Sequence, residues 1–288
     1  MYRAGLLFLV VCIVYVWLKT RRILNSSRFP TTVCFLTITP SASLIQFARR
    51  LVKRGHPVYI LCDGPPSLEQ PTGIAFLQVD DAECRAAGYV NANPVFPKTP
   101  TAWDKALYYF SKVKPSPYPV WFIEDDVFIP RADMLAEIDH DHWATDLLVG
   151  EDRSQRACPA WSWWGTIGTK LERPFYSGMV CAVRLSQPLL NEIAAYVERK
   201  KSLCFIEYMF HTLAHSADLL VGADERLITV TYREEWDETT VDANHVFHPI
   251  KDHVLQDRLR EKIDKGFVFP PTRYRGSLYS GHCLYSVL

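Results

Sequence analysis

No excess of either charge marks this chain. Its 288 residues carry 32 acidic and 32 basic side chains. That balance lacks the basic surplus a nucleic-acid binder needs, so no nucleic-acid partner is expected. Cysteine is present but unpatterned. Cys12 sits in the apolar opening segment, and positions 34, 62, 84, 158, 181, 204 and 283 hold no C-x-x-C and no zinc spacing. Runs such as "TVCFLTI" and "YILCD" are places where free buried thiols are ordinary, and one or two disulfides are compatible with the rest. "GTIGTK" (165–170) has only two residues between its glycines and is no Walker A loop. G-x-S-x-G, G-x-G-x-x-G and H-E-x-x-H are all absent, as are internal repeats and low-complexity tracts.

What is present begins with an apolar, uncharged stretch at 4–18, "AGLLFLVVCIVYVWL", followed by "KTRR". As a helix it reaches about 22 Å, short of a hydrocarbon core of about 30 Å, and the flanking basic residues can snorkel to close the gap. No small-x-small cleavage site follows. An uncleaved signal-anchor helix over 1–18 and a short stem over 19–30 are expected, with a cleaved signal and a buried helix as alternatives. Lys19, Arg21 and Arg22 against Arg3 favour a cytosolic globular part, and the sequon at Asn25 lies too close to the anchor to decide.

Eight tryptophans and fourteen tyrosines in the whole chain speak for an ordered, globular protein. Patterning predicts strands over 31–39, 56–63, 74–80, 119–129, 145–150, 175–186 and 227–233. Helices are predicted over 41–55, 101–113, 132–139, 187–200 and 203–217. The opening strand–helix–strand is a right-handed βαβ unit, hence a parallel sheet. Ligands of such sheets bind at the carboxyl ends of strands, where Thr39 and Asp63 fall. No linker interrupts residues 31–288, which read as one α/β domain.

"WFIEDDVFIP" (121–130) places Glu124, Asp125 and Asp126 inside a run of aromatic and β-branched residues. Unpaired carboxylates there would cost several kcal/mol each to desolvate, on the order of known burial penalties. Hard oxygen ligands on a short rigid segment suit Mn²⁺ or Mg²⁺, which complete their shells with water and substrate phosphate. A cluster paired with Arg or Lys is the plainer alternative. "PAWSWWGTIG" (159–168) sets Trp161, Trp163 and Trp164 on a loop, either as a platform for sugar rings or as packing beneath the loop. Glu207, His211 and His215 are spaced to share one helix face, but nothing completes a zinc site.

The βαβ start followed by a hydrophobic strand ending in Glu-Asp-Asp resembles the GT-A glycosyltransferases, nucleotide-sugar-dependent enzymes often anchored by one N-terminal helix. The resemblance implies a GT-A-like mixed, mostly parallel sheet flanked by helices behind a transmembrane helix. It implies transfer from a nucleoside diphosphate donor, a UDP-sugar first, to a hydroxyl of a glycan or glycoconjugate, in the Golgi or ER lumen. By the same likeness Asp126 binds Mn²⁺, Glu124 and Asp125 face the ribose or metal-bound water, and Asp63 contacts the nucleoside. Lys105 reaches a phosphate, with a solvent-facing lysine as the alternative. Glu207, at the start of a late helix, takes the acceptor proton as in inverting members. In "NHVFHPIKDH" (244–253), His248 joins the metal and Lys251 the diphosphate, with His245 a rival. A nucleotidyltransferase is disfavoured because "TITPSAS" offers no Gly-rich basic loop. A catalytically silent glycan-binding relative stays open.

Overall fold

The computed structural model describes residues 31–64 and 71–267. The expected anchor and stem lie outside the described residues, and among those described no helix is long and apolar enough to cross a membrane.

The chain runs β1 (Thr32–Thr37), α1 (Ala42–Lys53), β2 (Val58–Cys62), β3 (Ile74–Leu77), α2 (Asp81–Ala86) and α3 (Ala102–Tyr108), which widens into a π-helical turn at Tyr109–Val113. Next come β4 (Val120–Glu124), α4 (Met134–Asp141), β5 (Leu147–Val149), β6 (Arg153–Ser154), β7 (Tyr176–Ser177), β8 (Ala182–Leu185), α5 (Gln187–Lys200), α6 (Ile206–Ser216), β9 (Val221–Ala223) and α7 (His253–Asp264). The main sheet has the order β3-β2-β1-β4-β8-β5-β9, and β6 and β7 form a separate ribbon. Only β8 runs against its neighbours in the main sheet. A mixed, mostly parallel sheet flanked by helices is therefore what the chain forms.

Side chains alternate across β4, and that alternation divides the core. Trp121 and Ile123 join Phe35, Phe47, Leu51 and Ile138 on the α1/α4 face. Val120 and Phe122 join Leu107, Phe110 and Phe210 on the α3/α5/α6 face. Every residue of β1 is buried, which is why it reads as a continuous apolar run rather than an alternating one. Ser41 and Ser186 cap α1 and α5, each accepting from a backbone N–H three residues on.

Several expectations need correction. The strand predicted over 119–129 ends at Glu124, so Asp125 and Asp126 occupy the turn that follows. The single strand expected over 175–186 is two strands in two different sheets, broken around Gly178. A Cβ there would lie 2.1 Å from the Glu151 carbonyl oxygen, so the chain presses too close to its neighbour to continue a ladder. No strand forms over 227–233. Thr229 and Thr231 spend their hydroxyls on the carbonyls of Val246 and His248, and only the Val230–His248 bridge remains. The edge position is filled instead by β9, whose three residues carry no period-2 signal. Helix α7, absent from the sequence reading, packs on α1, with Leu259 in a small cluster beside Phe128, Phe247 and Ile250.

Candidate metal and donor site

Parallel register brings Leu36 of β1 opposite Glu124 of β4. The Asp125 N–H then donates to the Leu36 carbonyl at 3.1 Å, turning the acidic run across the carboxyl end of the sheet. The three acids meet different partners. Glu124 accepts a 2.7 Å hydrogen bond from Trp103 Nε1, and its other oxygen lies 3.6 Å from His248 Nε2. Asp125 accepts from the Thr37 hydroxyl. Burial holds Asp125 above the usual carboxylate range, against the Thr37 bond and with Asp126 and Glu124 adding repulsion. Asp126 is fixed through its backbone, whose carbonyl accepts from Ile250 N–H at 2.7 Å. Burial disfavours its charge, but His248 and Lys251 outweigh that and hold it below the ordinary range.

His248 completes the group. Its Nδ1 lies 2.6 Å from the Thr231 carbonyl, so that nitrogen carries the proton and donates. Nε2 is thereby aimed at the acids, 3.3 Å from Asp126 Oδ1. Burial disfavours an imidazolium here, yet the nearby Asp126 and Glu124 carboxylates hold the ring above the ordinary histidine range. Side-chain ligand atoms of Glu124, Cys181 and His248 all lie within 4.8 Å of one another. Cys181 was missed in the sequence because a cysteine in an apolar strand has no distinguishing pattern. It arrives through strand pairing, its carbonyl accepting from Glu124 N–H at 2.9 Å.

These residues fit a hard divalent ion. Asp126 Oδ1 is buried and has no hydrogen-bond partner among the described residues. A protonated His248, 3.3 Å away, supplies the compensating positive charge here, and a divalent ion held by the deprotonated ring would supply it instead. Neighbouring ligand atoms on an octahedral ion with bonds of about 2.1 Å stand about 3 Å apart, close to the separations of Asp126 and Glu124 oxygens from His248 Nε2. A carbonyl holding the far nitrogen of a ligating histidine is the usual outer support. Cys181 fits less well: burial pushes its thiol far up, leaving a neutral sulfur that a hard ion does not favour.

The other sequence candidates fall around this group. Lys105 is buried, contrary to a solvent-facing reading, and is paired with Asp63 and, at 2.6 Å, with Asp81. It ties the end of β2 to α2 and α3. Thr39 is exposed just past β1, and Lys251 is exposed between Ile250 and the Asp252 cap of α7. His245 turns away and pairs with Asp242 at 2.8 Å.

Glu207 stands at the start of α6, half-buried, with its carboxyl pushed up to about 8 by burial. Glu124 adds to the rise and His248 opposes it, so Glu207 shares the field of the acidic group. Its neighbours on the helix do something else. His211 and His215 both face Asp152, each at 2.7 Å, and so cement a loop onto α6 instead of joining Glu207.

The tryptophans need a correction. Trp161 and Trp164 are 5% and 7% exposed, too buried to present a stacking face. Trp164 Nε1 donates to the Cys158 carbonyl, and Trp161 packs edge-on to Trp164 and beside Phe205. Only Trp163 is half-exposed, tilted against Phe205.

No protein-family model matches the chain, and no curated protein matches it. Among solved structures, the crystal structure of mouse xyloside xylosyltransferase 1 in its apo form is similar at 11% identity, covering 67% of this chain and 84% of that chain with a TM-score of 0.33. At that level no residue role transfers.

Proposed function

We propose that the chain is a metal-assisted, GT-A-like glycosyltransferase that moves a sugar from a nucleoside diphosphate, a UDP-sugar first, to a hydroxyl of a glycan or glycoconjugate. The observation that carries this reading is the buried Asp126 Oδ1, with no hydrogen bond among the described residues and 3.3 Å from His248 Nε2, at the carboxyl end of a mostly parallel sheet. That edge is where such sheets receive nucleotides. Asp126, Glu124 and His248 would hold Mn²⁺ or Mg²⁺, which when bound neutralises charge on the departing diphosphate.

The chain's own groups do the remainder. Thr231 keeps the His248 proton on Nδ1, and Trp103 steadies Glu124. Lys251, exposed beside Asp126, is free to meet phosphate oxygens. Glu207 is the base: its raised affinity for protons suits removal of a hydroxyl proton. The acceptor oxygen bonds to the anomeric carbon while its proton passes to the Glu207 carboxylate. The bond from that carbon to the diphosphate oxygen breaks, and its electron pair leaves with the nucleoside diphosphate. A base acting on the acceptor fits a single displacement with inversion.

Cys158 is disulfide-bonded, which supports a lumenal, oxidising compartment such as the ER or Golgi behind the expected anchor. Incubation with UDP- and GDP-sugars tests the activity. Nucleoside diphosphate release is expected only with Mn²⁺ or Mg²⁺. A folded protein that turns over no donor under any of these conditions would contradict the proposal.

A further inference from the structure

A small recess lies between the β6–β7 ribbon and the start of α6, lined by Glu151, Arg153, Trp161, Ser177, Gly178 and Glu207 among others. Its volume is about 10 Å³, room for one water or one hydroxyl group. The walls are rigid. Asp152 bridges His211 and His215 on α6, the Tyr176 ring stacks on His215 at 3.6 Å between centroids, and Tyr176 N–H donates to Thr212 Oγ1 at 3.0 Å. Gly178 keeps the space open. A Cβ there would meet the Glu151 carbonyl at 2.1 Å and His211 Cε1 at 2.7 Å, and its own N–H donates to the Glu207 carbonyl at 3.1 Å. The base, the ribbon and the histidine pair are therefore one packed unit.

Charge decides what the recess can take. Glu151 and Arg153 pair with each other, so the guanidinium is already neutralised. When Glu207 is ionised, as a base that takes a hydroxyl proton must be, the lining carries one net negative charge. An anionic acceptor would bring like charge against like, a mismatch that selects strongly against it. Trp161 contributes the apolar side of the lining.

We infer that this recess seats the reacting hydroxyl of an uncharged sugar, and that the Glu151–Arg153 pair excludes uronic acids and sugar phosphates from the acceptor position. The inference rests on the transferase reading above. Glu151 sets the specificity by neutralising Arg153.

The test is a saturation-transfer NMR titration at pH 9, where Glu207 is ionised, in UDP and diamagnetic Mg²⁺. Methyl glycosides of glucose, galactose and mannose are compared with the corresponding uronic acids. At least one neutral glycoside is expected to bind about tenfold or more tightly than its acid, since tenfold is only about 1.4 kcal/mol. Glu151→Gln frees the Arg153 charge and is expected to shift that ratio towards the acid by about tenfold. Arg153→Met leaves the carboxylates uncompensated and is expected to widen the ratio, which keeps the test informative should the first variant fail to fold. Equal binding of acid and neutral forms, or ratios unmoved by the variants, would overturn the inference. So would UDP binding without binding of any neutral glycoside. Loss of UDP binding with the neutral preference intact would instead support the sugar seat and sink the transferase reading.

Discussion

Replacing Glu207 by glutamine keeps the shape of the side chain and removes both its proton chemistry and its charge. In the metal-free protein, burial and Glu124 lift this carboxyl from an ordinary 4.5 to about 8, with His248 opposing. Between those two values the folded state holds a proton that the unfolded state has released. The contribution to stability is therefore full below about pH 4.5, falls as pH rises, and levels off above about pH 8. At about 1.4 kcal/mol per pH unit, the span sets an upper limit of about 5 kcal/mol. Solvent reaching the half-buried carboxyl, and relaxation around it, reduce this to about 1–2 kcal/mol. Glu207→Gln is thus expected to melt a few degrees above wild type at pH 9 in EDTA, and level with it near pH 4.5. Saturating Mn²⁺ shrinks the difference by neutralising Glu124. Sugar transfer by the same variant falls by about 10²–10⁴-fold, the usual loss of a general base. Thermal melts across pH and initial-rate assays read both effects. A variant that is less stable at pH 9 would refute the assigned environment, and one that keeps its transfer rate would refute the assigned role.

Asp152 is held below the ordinary carboxylate range because His211 and His215 outweigh its burial, so its contribution is present above about pH 4 and is lost as pH falls. Asp152→Asn should lower the melting temperature at pH 7 by the equivalent of about 1–3 kcal/mol and match wild type near pH 3; equal melts at pH 7 would count against the clamp. Gly178→Ala pushes a methyl against the Glu151 carbonyl at 2.1 Å and should cost about 1–3 kcal/mol in urea unfolding. An unchanged midpoint would show that the ribbon can move away. His248→Ala should weaken Mn²⁺ binding by at least about tenfold, whereas Cys181→Ser leaves it nearly unaltered. The reverse order, read by metal titration, would make the sulfur the ligand.

Much of this was legible in the sequence wherever a short segment determines its own environment. The buried run "TVCFLT" and the acidic end of β4 could be placed because apolar continuity and adjacent charges are local signals. His248 was legible only through a family resemblance, since nothing in "NHVFHPIKDH" separates it from His245. The folded chain separates them by their partners, Thr231 for one and Asp242 for the other. Cys181, Arg153 and the Asp152 clamp were illegible. They depend on which strands pair and on a ribbon outside the main sheet, and the contacts of Asp152 with α6 bridge 59 and 63 positions, too far apart for any periodicity to show. The tryptophan loop misled because three indoles in four residues look alike whether they face solvent or core. Their fate was decided by Phe205 and Tyr208 beneath them.

The central claim is that Asp126 and its neighbours hold a divalent ion that completes a nucleotide site. Isothermal titration of residues 26–288 with UDP, in Mn²⁺ and again in EDTA, tests it directly when repeated on Asp126→Ala. The account predicts binding in Mn²⁺ that disappears in EDTA and in the variant, with the variant's thermal melt still cooperative. UDP binding of equal strength in EDTA, or undiminished in the variant, would contradict the metal assignment. No binding of UDP or any other nucleoside diphosphate by the folded wild-type protein would contradict the account as a whole.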